Sequence, residues 1–152
     1  FLYGFDYNNG IIYIVFICKN IFIFLSKKCF LNMTKPISSK KLLQTIIEGI
    51  DEKKGKNIVS LDFKKIENSI CKFFVICEGD SNIHVTAISN SVIDFTQKKI
   101  GVNVWRTTGF ENGEWIILDY ADIMVHIFQP HIRSYYAIEE LWADCTIKQY
   151  TF

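Results

Sequence analysis

Past residue 40 the apolar side chains recur at helical and strand periods by turns. Leu42, Leu43, Ile46, Ile47 and Ile50 form one stripe. The segment led in by Pro36, Ser38 and Ser39 is therefore expected to be an amphipathic helix, with Gly55 as its left-handed cap. Asn57 to Phe63, "NIVSLDF", predicts a strand, followed by the polar connection "KKIENSI". Lys72 to Cys77, "KFFVIC", is almost continuously apolar, as expected of a strand covered on both faces. Helical spacing returns at Val85, Ile88, Val92 and Phe95, between Ser81 as N-cap and Gly101 as terminator. "VNVWRT" reads as a third strand. Asn112-Gly113 is a turn signal leading into a hairpin of "EWIILDY" and "DIMVHIF", joined tightly around Tyr120-Ala121. Pro130 then opens a last helical segment, where a first-turn proline is tolerated. The order is helix, strand, strand, helix, strand, strand, strand, helix. It predicts an α/β domain with a mixed five-stranded sheet and flanking helices. The long second helix should supply a right-handed crossover.

The first 32 residues do not share this patterning. "FLYGFDYNNGIIYIVFICKNIFIFLSKKCFLN" has no Ala, Glu, Arg, Thr or Pro and is dominated by residues with AT-rich codons. Ile11 to Leu25 is strongly apolar but shorter than the ~20 residues of a membrane span, and Lys19 and Asn20 interrupt it. A signal peptide would carry its basic residues before the apolar run, whereas Lys27 and Lys28 follow it. The expectation is an untranslated or non-native upstream extension over 1–32, with a membrane anchor as the alternative. The domain proper is expected over 33–152, from Met33 onward.

That division changes the charge reading. The chain has 17 basic and 16 acidic residues, and residues 1–32 hold Lys19, Lys27, Lys28 and Asp6. The remaining 14 basic and 15 acidic groups leave a formal charge of −1. Direct nucleic-acid binding is not expected of such a balance, because gripping phosphates needs a basic excess. The cysteines, Cys18, Cys29, Cys71, Cys77 and Cys145, are odd in number and show no C-x-x-C spacing. They argue against a disulfide framework or zinc site and fit a reducing, cytoplasmic location.

Candidate chemistry is sparse. Gly79-Asp80-Ser81 at a helix start can hold a phosphate on backbone N–H groups, as nucleotidyltransferases do. Those enzymes also need paired carboxylates for magnesium on the next strand, and "VNVWRT" offers none. Asp119 and Asp122 flank a tight turn instead. His84, His126 and His131 have no recognised ligand spacing. No catalytic residue, metal or cofactor is therefore expected, with a nucleotidyltransferase-like nucleotide-binding enzyme as the alternative.

The hairpin says more. Ile123, Val125 and Ile127 point to one face, Met124, His126 and Phe128 to the other, and both are bulky. Helices can cover one face. The other can stay open, presenting Trp115, His126, Phe128, Arg133, Tyr136 and Trp142, the residue types that anchor protein interfaces. The competing reading is that these aromatics are core, and the sequence divides evenly between the two.

Together, "NIVSLD", "VICEGDSNIHVTAIS", "EWIILDYADIMVHIFQP" and "IRSYYAIEELW" are similar to the ribosome silencing factor family, also called Iojap or RsfS. The resemblance runs from about Leu42 to Trp142. Trp115, Asp119, Asp122, His126, Arg133, Tyr136, Glu139 and Trp142 stand where the family pattern places them, while residues 1–32 have no counterpart. Lys72, Ile83 and Thr108-Gly109 depart from it. The resemblance implies a nucleotidyltransferase-like fold without catalytic acids. It implies a translation repressor that binds the large ribosomal subunit through ribosomal protein fourteen. Blocked association with the small subunit would then lower translation when nutrients are scarce. Asp119, Tyr120 and Asp122 would join the aromatics and Arg133 as partner-binding residues, the acids meeting basic side chains. A homodimer through the same surface is the competing assembly.

Overall fold

The computed structural model describes residues 37–66, 69 and 71–152, together with the backbone of three strands nearer the N-terminus. Residues 1–36 form a unit of their own. In it β1 (Gly4–Phe5), β2 (Ile11–Ile14) and β3 (Ile23–Ser26) pair antiparallel in the order β1-β2-β3. Met33, Pro36 and the side chains of residues 1–36 lie outside the described residues. Among the described residues no helix is long and apolar enough to cross a membrane.

The second unit, Ile37–Phe152, is the α/β domain. Its elements are α1 (Ser39–Glu52), β4 (Lys56–Asp62), β5 (Phe73–Glu78), α2 (Asn82–Ile100), β6 (Arg106–Thr108), β7 (Trp115–Asp119) and β8 (Ile123–Phe128). Then come α3 (Pro130–Tyr136), α4 (Ile138–Leu141) and β9 (Thr146–Tyr150). The strands form one sheet in the order β6-β7-β8-β5-β4-β9, parallel only between β5 and β8. The expected mixed sheet is present, with six strands rather than five. The added strand, "TIKQY", lacks an apolar alternation and is exposed at four of its five positions. Pairing with β4 from Ile58↔Tyr150 to Asp62↔Thr146 makes it an edge strand.

On one face of the sheet α1 contributes Leu42, Ile46 and Ile50, and α2 contributes Val85, Ile88 and Val92. They pack on Val75 and Cys77 of β5, Ile116 and Leu118 of β7, and Ile123, Val125 and Ile127 of β8. The helices approach closely at Gly49, where an added Cβ would stand 3.0 Å from Val92 Cα. Ser91 Oγ donates to Gly49 O across that contact, at 2.8 Å. Ser81 caps α2 as expected, its hydroxyl accepting from His84 N.

Three local expectations need correction. The left-handed residue after α1 is Lys54 (φ 57°), not Gly55. Gly55 is instead needed for room, since a Cβ there would lie 2.3 Å from Ile50 Cγ2. The third strand covers Arg106–Thr108 only, and Trp105 before it is half exposed. The last helical segment is two helices, broken where Ala137 turns left-handed (φ 41°).

Glycine is required unequally at two turns. Gly101 ends α2 at φ 66°, with open space around its absent Cβ. Gly109 has φ 91°, and a Cβ there would fall 2.0 Å from Trp115 O. Gly101→Ala should therefore cost about 1 kcal/mol, the strain of a left-handed alanine. Gly109→Ala should cost more, because the backbone of the β6–β7 connection must also move. Denaturant unfolding of the two variants checks this order.

Candidate functional site

The second face of the sheet is closed, contrary to the open face expected from the hairpin. Phe74 of β5, Trp115 and Ile117 of β7, and Met124, His126 and Phe128 of β8 are all buried. Phe63 lies against Phe74 with ring centroids 4.7 Å apart, and Trp142 lies against Phe63 at 5.1 Å. Trp115 stacks on Phe128 at 4.8 Å and meets Tyr136 of α3 at 5.0 Å. His126 sits between Phe74 and Phe128, at 4.8 and 6.2 Å. Helices α3 and α4 roof this aromatic layer through Tyr136 and the following Trp142, and Ile138 of α4 is buried. Trp115, His126 and Phe128 are thus a second core, and their expected exposure is wrong. Tyr136 and Trp142 are half-buried at its margin.

Trp115 Nε1 donates to His126 Nδ1 at 3.3 Å, which puts the proton of a neutral His126 on Nε2. That Nε2, like Trp142 Nε1, is buried and has no hydrogen-bond partner among the described residues. Burial alone pushes the His126 pKa down to about 3.

The polar predicted residues also have internal partners. Arg133, expected at an interface, ties α3 to the sheet. Its Nη1 donates to Glu78 Oε1 at 3.0 Å and to Asn57 O at 2.8 Å, and its Nε to Glu139 Oε1 at 2.8 Å. Asp119 is buried, and its carboxylate accepts from Ala121 N at 2.7 Å, closing the β7–β8 turn. Burial raises its pKa, against that hydrogen bond and the charge of Arg106. Tyr120 is buried in the helix-side core, where its hydroxyl meets Thr96 Oγ1 at 3.0 Å. Burial lifts its pKa to about 12.

Asp122 is half-buried and bonds Lys72 Nζ and Ser39 Oγ, both at 2.7 Å. Burial raises its carboxyl, but these hydrogen bonds outweigh it and hold the pKa low. Sequence reasoning missed Glu78, Phe63 and Phe74 as members of this assembly. The apolar run "KFFVIC" was the available signal for Phe74.

The Gly79–Ser81 loop has its groups engaged locally. Asp80 N donates to His84 Nδ1 at 3.0 Å, Ser81 Oγ accepts from His84 N at 3.2 Å, and Asp80 pairs with Lys56 at 2.8 Å. Among the described residues no group of three His, Cys, Asp or Glu side chains is placed to hold a metal ion.

On the short helices packed over the aromatic layer, Tyr135 is 76% exposed and Leu141 49% exposed; Ile83, Trp105, Ile147 and Phe152 are the other exposed large apolar side chains among the described residues.

The family model described as "Ribosomal silencing factor during starvation" matches residues 36–151. A ribosomal silencing factor of Halalkalibacterium halodurans is 36% identical over 108 residues, covering 71% of this chain and 91% of that protein. That of Bacillus subtilis is 31% identical over 116 residues, covering 76% and 97%. A crystal structure of a Chromobacterium violaceum protein, 36% identical, superposes with a TM-score of 0.66 over 70% of this chain and 88% of that one.

Two expected outcomes follow from the geometry. Arg133→Met leaves Glu78 and Glu139 without their shared cation and should cost about 3 kcal/mol in denaturant unfolding. His126 binds its proton more readily in the unfolded chain, near its ordinary pKa of about 6.5. Its contribution is therefore complete above that pH and is lost as pH falls toward 3. Between pH 7 and 5 the wild type should lose about 2 kcal/mol of unfolding free energy that His126→Phe does not lose.

Proposed function

The chain belongs to the family of ribosomal silencing factors, and from that premise we propose that it represses translation by docking on ribosomal protein fourteen of the large subunit. Bound there, on the face that meets the small subunit, it would block subunit association and lower translation when nutrients are scarce. It would act by occupancy rather than catalysis. The observation that carries this reading is the surface of α3 and α4, where Tyr135 and Leu141 stand exposed beside a buried aromatic layer. Large exposed aromatic and apolar side chains are the kind that anchor protein interfaces. Tyr136, Trp142 and Asp122, half-buried at the margins, are the sequence-predicted residues that can reach a partner directly. Trp115, Asp119, His126, Phe128 and Arg133 would support that surface from beneath, while Tyr120 belongs to the core on the other face of the sheet.

The formal charge of −1 outside residues 1–32 also fits docking on a basic ribosomal protein. The match over residues 36–151 supports reading 33–152 as the silencing domain. The nucleotidyltransferase alternative has less behind it, since the Gly79–Ser81 loop would have to release bonds already made within the chain.

The test is a sucrose gradient of the purified chain with large subunits, then with small subunits added. Co-migration with large subunits and loss of joined ribosomes are expected. Tyr135→Ala combined with Leu141→Ala should weaken co-migration by roughly tenfold or more while leaving the unfolding midpoint unchanged. Undiminished joining with saturating protein would refute the reading, and unaltered binding by the double variant would move the contact elsewhere.

A further inference from the structure

The groove between α1 and the β4–β9 edge belongs to none of this. It lies on the helix side of the sheet, opposite the roof of α3 and α4. Its volume is about 300 Å³, at the lower end of small-ligand pockets. Leu43 and Ile47 of α1, Phe73 of β5 and Tyr150 of β9 supply its apolar walls. Lys40 of α1, Lys64 after β4 and Lys148 of β9 bring three amines to it from three separate places in the chain. Asp62 is the lone carboxylate among the described lining residues, paired with Lys64 at 3.1 Å. Those residues carry a formal charge of +2 on a domain that is otherwise slightly acidic.

The details fit a particular ligand chemistry. Lys148 Nζ sits 4.8 Å from the centroid of the Tyr150 ring, and Lys64 Nζ 5.3 Å from that of Phe73. These two amines each lie over an aromatic ring, a contact that favours their position at the groove. Ser60 Oγ and Tyr150 OH lie 3.1 Å apart and present hydroxyls beside the apolar walls. The Gln44 side chain lines the same space. Amines that neutralise a compact anion, next to apolar walls with a few neutral hydrogen-bonding groups, suit a flat heterocycle bearing a phosphate.

We propose that this groove binds a nucleoside monophosphate, its phosphate among Lys40, Lys64 and Lys148 and its base against Leu43, Ile47 and Tyr150. The site is non-catalytic and independent of ribosome docking.

Isothermal titration of the full chain with AMP, GMP, inorganic phosphate, adenosine and a ten-nucleotide RNA tests it. A nucleoside monophosphate should bind with Kd below about 1 mM and at least about tenfold more tightly than phosphate or adenosine alone. Lys40→Glu and Lys148→Glu, both at exposed positions, should each weaken that binding by about tenfold or more, and the Tyr135→Ala variant should bind as wild type. No heat with either nucleotide overturns the proposal, as does affinity unaltered by the two charge reversals in folded protein. RNA binding at least about tenfold tighter than mononucleotide, with steep salt dependence, also overturns it and makes the groove a track for a phosphate backbone.

Discussion

Strands with apolar side chains on both faces cannot stand at the edge of anything, and they must be covered twice. β5, β7 and β8 are in that position, with every residue of β7 and β8 buried. Burying a side chain the size of Ile or Phe contributes about 1.5–3 kcal/mol, so leaving either face of these strands open would remove much of what holds the domain together. The rest of the architecture answers that constraint. α1 and α2 cover one face, and Phe63, Tyr136, Ile138 and Trp142 cover the other from α3, α4 and the flanking segments. The second cover consists of two short helices, too short to be stable alone. Arg133 is the fastening that keeps them in place, through Glu78 of the sheet and Glu139 of α4.

This arrangement separates the residues that make a surface from those that are the surface. The aromatic layer is buried, and within it Trp115 donates to His126. Tyr135 and Leu141, by contrast, are exposed to solvent on α3 and α4. On the proposed function, substituting a layer residue or Arg133 would disturb binding through the fold, while substituting Tyr135 or Leu141, both exposed, would disturb binding alone.

The helices and the central strands could be read from the sequence because their periods are strong. The stripe from Leu42 to Ile50 and the run Phe73 to Cys77 allow few alternatives, and Ser81 and Gly101 mark the ends of α2 by known chemistry. β9 could not be read, because an edge strand with one half-covered face needs no apolar alternation. The sequence placed the aromatics of the hairpin on one face but not their exposure, and it did not separate Tyr120, which belongs to the opposite core. Alternation places Trp115, His126 and Phe128 on one face, but whether that face is covered depends on where the chain after Pro130 goes. That path is set by pairings 55 positions apart, such as Glu78 with Arg133, which no local pattern reports. The polar residues were misread for the same reason. An arginine beside tyrosines suits an interface or a latch equally well until its acids are located.

Amide hydrogen exchange on the chain, free and bound to large ribosomal subunits, tests the two-cover architecture and the roof contact together. Amides of β7 and β8 should be strongly protected in the free protein and unchanged on binding, while α3 and α4 gain protection. Fast exchange across β7 and β8 in the free protein, slowed only by the ribosome, would contradict this. It would mean that the roof lifts and that Trp115, His126 and Phe128 are themselves the contact.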